Sequence, residues 1–138
     1  MTYDTTNIFA KILRGEIPCH KIYEDEHALA FMDIMPMTQG HCLVLPKAPS
    51  RGLLDADADV LAKVMPVVQK VAKAAVAVVG ADGFQLRQYN ETAAGQTVFH
   101  LHFHILPMTE GVPLGPHTGK MVDHGELGAL AKRISAVL

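Results

Sequence analysis

The sequence predicts an α+β fold built on an antiparallel sheet. Short β-type runs follow one another closely, a long helical pattern interrupts them once, and no βαβ alternation appears. Neither a Gly-x-Gly-x-x-Gly nor a Gly-Lys-Ser/Thr loop occurs, so dinucleotide-binding and P-loop folds have no support.

Each element has its own signal. Thr5-Thr6-Asn7 caps a short helix with Ile8, Phe9 and Ile12 on its apolar side; Gly15 ends it and Pro18 keeps it ended. Lys21 to Tyr23 and Ala28 to Phe31 flank the acidic turn Glu24-Asp25-Glu26 and read as a hairpin. His41 to Leu45 is a third strand, closed by Pro46. Asp55, Asp57 and Asp59 suit a helix N-terminus. After them apolar residues recur at helical spacing from Val60 to Val79, and Gly80 stops the run. Pro66 inside this pattern predicts a kink or a restart. Phe84 to Tyr89 alternates like a strand with one wet face, and His100 to Leu106 alternates too. A stretch rich in Gly and Pro then runs to about His124. Leu127, Leu130, Ile134 and Val137 outline a terminal helix.

Composition limits the function. At 138 residues one domain spanning 1–138 is expected, and 49% apolar against 19% charged residues excludes a disordered chain. A net charge of −2 lacks the basic surplus of a nucleic-acid binder. Apolar stretches fall far short of the ~20 residues that span a bilayer. The first residues lack the pattern of a secretory signal. Cys19 and Cys42 therefore read as reduced thiols of a cytoplasmic protein.

The chemistry lies in His100-Leu101-His102-Phe103-His104. On a strand these three imidazoles share one face, roughly 7 Å apart step to step, while Leu101, Phe103 and Ile105 point into a core. Random placement of eight histidines gives this spacing with a probability of about 0.03. Three uses are open. A solvated face would be served equally by Thr, Lys, Glu or Gln. A His₃ metal site is a known set, but the outer two lie about 13–14 Å apart on a straight strand. The third use is catalysis. A neutral imidazole attacks phosphorus well, and clustered imidazoles discourage one another's protonation. The preceding Ala93-Ala94-Gly95-Gln96-Thr97 offers bare N–H groups, an amide and a hydroxyl, a turn able to cradle an oxyanion.

The segment Gly95-Gln96-Thr97-Val98-Phe99-His100-Leu101-His102-Phe103-His104-Ile105-Leu106 resembles the signature of the histidine triad (HIT) family of nucleotide-binding hydrolases and transferases. The likeness begins near Asn7-Ile8-Phe9-Ala10-Lys11-Ile12. It continues through Gly15-Glu16-Ile17-Pro18, Ala30-Phe31-Met32-Asp33-Ile34-Met35-Pro36 and Gly40-His41-Cys42-Leu43-Val44-Leu45-Pro46-Lys47, a motif-bearing core of about 7–107. It implies a five-stranded antiparallel sheet with one long helix and short terminal helices, two copies pairing into one ten-stranded sheet. By the same resemblance His102 attacks the α-phosphorus of a nucleotide and carries it as nucleotidyl-histidine. His100 orients that ring, His104 hydrogen-bonds the phosphate, and His41 stands near the triad. Gln96 and Thr97, with Gly95 in the same loop, match positions at the phosphate or leaving group, and Asn90 matches a phosphate contact. Asp33 matches the acid that holds the ribose, with Phe9, Ile12, Ile17, Phe31 and Ile34 around the base.

Two departures matter. Pro46-Lys47-Ala48-Pro49 lacks the histidine that many members carry after Pro-Lys. Asn7-Ile8-Phe9-Ala10 stands where some bacterial relatives carry a zinc-binding Cys-x-x-Cys, so neither metal nor cofactor is expected. The resulting expectation is a homodimeric cytoplasmic hydrolase of purine nucleoside phosphoramidates such as adenosine 5′-monophosphoramidate, with no nucleic acid or membrane as partner. A dinucleoside polyphosphate hydrolase of the same family, a non-catalytic nucleotide sensor and a zinc-holding protein are the rivals. The loop after Met108 is where leaving-group choice would be shaped.

Overall fold

A computed structural model describes residues 2–115 and 123–138. The elements run α1 (Ile8–Leu13), β1 (Lys21–Glu24), β2 (Ala28–Met32), β3 (Cys42–Pro46), α2 (Ala58–Val79), β4 (Gly83–Arg87), β5 (Phe103–Met108) and α3 (His124–Ser135). The five strands form one sheet in the order β1-β2-β3-β5-β4, every pair antiparallel. The α+β prediction and the five-stranded sheet both hold.

Local chemistry accounts for the boundaries. Asn7 caps α1 by accepting from the Ala10 N–H at 2.9 Å. Asp25 closes the β1–β2 turn by accepting from the N–H groups of His27 and Ala28. Asp55 serves the turn before α2, accepting from Arg51 and Gly52, and leaves the N-cap of that helix to Asp57. Gly80 ends α2 in the left-handed conformation.

The sheet is covered on both faces, and the pleat decides what each face carries. Ala28, Ala30, Met32, Cys42, Val44, Leu101, Phe103 and Ile105 pack against α2 and α3. Leu29, Phe31, Leu43 and Leu45 pack with Phe9 of α1 on the other side. Every residue of β2 and β3 is therefore buried, which is why those strands read as unbroken apolar runs. Val64, Val67, Val68 and Val71 line the buried side of α2, each contributing about 1.5–3 kcal/mol by leaving water.

Four expectations need correction. Pro66 does not restart α2, which runs continuously from Ala58 to Val79. Its ring lies on the exposed face, where water can satisfy the carbonyl that a proline leaves without its helical donor. His100 and His102 precede β5, and only His104 joins the ladder. The apolar side chains of β4 are not covered by their own chain, Phe84 being 47% and Leu86 44% exposed. Val137 lies beyond the end of α3. Part of the Gly- and Pro-rich loop expected to shape leaving-group choice, 116–122, lies outside the described residues.

Candidate active site

The pleat that sorts the core also assembles the histidines. Asp33 follows β2 in phase with Leu29 and Phe31, and His41 precedes β3 in phase with Leu43 and Leu45. His104 pairs with Leu43 across the ladder. All three thus emerge on the α1 side and converge, with ligand-type atoms within 4.8 Å of one another. Gly40 makes the approach possible. It has φ +86°, and a Cβ there would sit 3.0 Å from Val79 Cγ1 and 3.1 Å from Pro107 Cγ.

The hydrogen bonds of this cluster set its protons. The Met37 N–H donates to His41 Nδ1 at 3.1 Å. A backbone amide can only donate, so the proton of a neutral His41 lies on Nε2. That atom is 3.0 Å from His104 Nδ1 and 3.4 Å from Asp33 Oδ2. His104 accepts at Nδ1 and in its neutral form carries its own proton on Nε2, at the opposite edge of the ring. The result is a relay running from backbone amide through His41 to His104. A metal on His41 Nε2 would move the proton of the neutral ring to Nδ1, against the Met37 N–H, so the arrangement suits a relay better than a metal cage.

His100 and His102 are set by a second pair of contacts. His100 is wholly buried, with Nε2 donating to the Pro46 carbonyl at 2.7 Å and Nδ1 accepting from the Tyr3 hydroxyl at 2.5 Å. Burial pushes its pKa below the ordinary histidine value. The Pro46 carbonyl opposes that shift, and the neighbouring His102 adds to it. His102 donates from Nδ1 to the His100 carbonyl at 2.6 Å, which leaves the lone pair of the neutral ring on Nε2. Its ring meets Phe9 edge-on at 4.8 Å and lies 5.0 Å from that of His104.

His102 and His104 line a cleft of 270 Å³ together with Gly95, Thr97 and Leu106. Met37, Arg87 and Tyr89 complete its walls, and sequence reasoning missed all three. The ladder register Arg87↔His104 could have found Arg87 had it been known, since facing residues share a side of the sheet.

Two polar residues expected at the phosphate make hydrogen bonds within the chain. Gln96 is buried beneath the loop; its amide donates to the carbonyls of Arg51 and Val98 and accepts from the Glu91 N–H. Asn90 accepts from Leu53 N–H at 2.7 Å and exchanges hydrogen bonds with Gln88. Between them Glu91 has φ 72° and ψ 159°, a conformation strained for any residue but glycine, and Arg51 grips its carboxylate with two N–H groups. Phe9, Phe31 and Ile12 cluster on the α1 side of the sheet, while Ile17 is half-buried and Ile34 exposed. None of these five lines the cleft.

His41, His104 and His102 thus form a chain of neighbouring rings on one face of an antiparallel sheet, and comparison with known proteins gives the class to which such a fold and site belong. Residues 14–111 match the HIT domain. A HIT-like protein of Bartonella henselae, solved as a crystal structure, is 50% identical over the whole of both chains, with a TM-score of 0.96. An adenosine 5′-monophosphoramidase of Saccharomyces cerevisiae is 35% identical, covering 99% of this chain and 85% of the yeast protein. An adenylylsulfatase of Arabidopsis thaliana is 41% identical over 75% of this chain, although the match spans only 52% of the plant protein. The chain belongs to the HIT family, and its membership sets it among HIT-type hydrolases and nucleotide-binding proteins.

Proposed function

We propose that this protein hydrolyses purine nucleoside 5′-phosphoramidates through a nucleotidyl-histidine intermediate on His102. The observation that carries the reading is the bond from His102 Nδ1 to the His100 carbonyl, which leaves the nucleophilic lone pair on Nε2 of a ring lining the cleft. His102 Nε2 attacks the α-phosphorus and the bond to the amine nitrogen breaks. The electron pair leaves with that nitrogen, which takes a proton from solvent. Water then attacks phosphorus, the bond to Nε2 breaks, and AMP departs with the ring restored. His104 Nε2–H donates to a phosphate oxygen, and the Thr97 hydroxyl serves the same charge. The nucleoside takes the α1 side, against Phe9, Ile12 and Phe31 with Ile17 and Ile34 at the margin, and Asp33 holds the ribose. The phosphoramidase name of the yeast relative supports the choice of substrate.

Brief mixing with an adenylate donor, followed by mass spectrometry, is expected to find AMP on His102. His102→Ala should lose the adduct and still bind AMP. Wild-type turnover by that variant would overturn the assignment.

The same reading includes a homodimer in the cytoplasm. β4 is an edge strand whose Phe84 and Leu86 stand open, the kind of edge that a second copy covers. Among the described residues no helix is long and apolar enough to cross a membrane. Light scattering that gives a 14.9 kDa particle would remove the dimer.

A further inference from the structure

Resting on that reading, we propose that Arg87 is the residue by which the cleft reads the charge of the leaving group, a subsite that favours a departing sulfate or phosphate over an amine. Arg87 stands across the ladder from His104 on the face that carries the histidines, and both line the cleft with His102.

The partners of Arg87 are all neutral. Its Nε and Nη2 donate to Gln85 Oε1 at 3.0 and 2.7 Å, and Nη1 lies 3.4 Å from the Tyr89 hydroxyl. These contacts take three of the five guanidinium N–H groups and return no negative charge. Arg14 and Arg51, by contrast, are each held by a glutamate. Among the described residues no carboxylate makes a salt bridge to Arg87 and none lines the cleft. Thr97 and His104 offer donors to the same space. A half-buried cation among donors, in a chain whose net charge is −2, is a local anion trap. The Tyr89 ring braces the arrangement, meeting His104 at 5.6 Å.

An amine leaving group gains nothing from this cation. A sulfate or phosphate gains a charge-assisted hydrogen bond that strengthens as charge builds on the departing oxygen. The step balances without an acid. The bond from His102 Nε2 to phosphorus forms as the bridging P–O bond breaks, and the electron pair leaves on an oxyanion stable without a proton. Water then releases AMP as before.

The test compares full-length wild type with Arg87→Gln and Arg87→Lys on adenosine 5′-phosphosulfate, diadenosine triphosphate and adenosine 5′-phosphoramidate. For Arg87→Gln, the ratio of kcat/KM on an anhydride to that on the phosphoramidate should fall about 10- to 100-fold, the worth of a charged hydrogen bond. Arg87→Lys should keep part of the ratio. A fall confined to the sulfate or to the polyphosphate substrate supports the subsite and names its anion; an unchanged ratio on both overturns it. Calorimetry supplies a readout without turnover. Wild type should bind adenosine 5′-(α,β-methylene)diphosphate at least about tenfold more tightly than AMP, and Arg87→Gln should bind the two alike. Equal affinities in wild type would overturn the subsite. Should wild type turn over no adenylate at all, the hydrolase reading fails, and the calorimetric arm alone decides the role of Arg87.

Discussion

Replacing His41 with leucine removes the donor that keeps His104 in one tautomer. The structure sets the scale of the loss. Met37 N–H loses its acceptor, His104 Nδ1 loses its donor, and Asp33 Oδ2 loses a neighbour at 3.4 Å. Each hydrogen bond lost from a buried group costs about 1–3 kcal/mol, so losing the two bonds of His41, from Met37 and to His104, should cost roughly 2–6 kcal/mol of stability. Catalysis suffers separately. With Nδ1 no longer held as an acceptor, the His104 proton can move to that side and leave the phosphate without its donor. Loss of one such donor costs about 10²–10³ in kcat. His41→Gln tells the two effects apart. Its terminal amide reaches about where the imidazole Nε2 lies and again offers an N–H to His104, but it gives Met37 no equivalent of Nδ1. This variant should regain most of kcat while remaining less stable than wild type. Steady-state hydrolysis of adenosine 5′-phosphoramidate reads the first quantity and thermal unfolding the second. A leucine variant within about threefold of the wild-type kcat would refute the relay, as would a glutamine variant no better than leucine.

Tyr3→Phe leaves the buried His100 Nδ1 without its donor and should cost about 1–3 kcal/mol, read as a lower melting temperature; an unchanged melt would remove the contact. Burial holds the His100 pKa below 6.5 in the folded state. Below pH 6.5 the unfolded chain therefore binds a proton that the native one refuses, and stability should decline as pH falls from there towards the folded pKa. Urea midpoints between pH 7.5 and 5.5 test this, the decline being expected to flatten in His100→Asn. Gly40→Ala combines a positive φ with a 3.0 Å approach to Val79 and should cost about 1–3 kcal/mol and lower activity with it. Gly80→Ala, at φ +68° with nothing within 4 Å, should cost less and spare activity; equal losses at the two sites would show that crowding at Gly40 is harmless.

Local periodicity made one part of this molecule legible. Leu101, Phe103 and Ile105 enter the core beneath α2, as their alternation demanded, and that alone sends His102 and His104 to the opposite face. The same reasoning misjudged His100 and His102, because alternation continues through extended chain that pairs with no strand. Phe84 and Leu86 misled in another way. Their spacing marks an apolar face, but a period says nothing about whether the chain itself supplies the cover.

Another part of the site lay beyond local pattern. The family resemblance matches Gln96 and Asn90 to positions at the phosphate, and says nothing of their contacts within the chain. What they touch lies far along the chain: Gln96 meets the Arg51 carbonyl and Asn90 meets the Leu53 amide. No local pattern encodes such pairs. Glu91 explains why Gln96 is held there. Its backbone sits in a region that costs a non-glycine residue about 1–3 kcal/mol, and it persists only because Gln96 holds its N–H and Arg51 its carboxylate. With Gln96 committed to that task, Gly95 and Thr97 are the loop residues that line the cleft. Across the cleft stands Arg87. Gln96 braces the loop, and the cation that lines the cleft, Arg87, sits on a strand with an unremarkable sequence context.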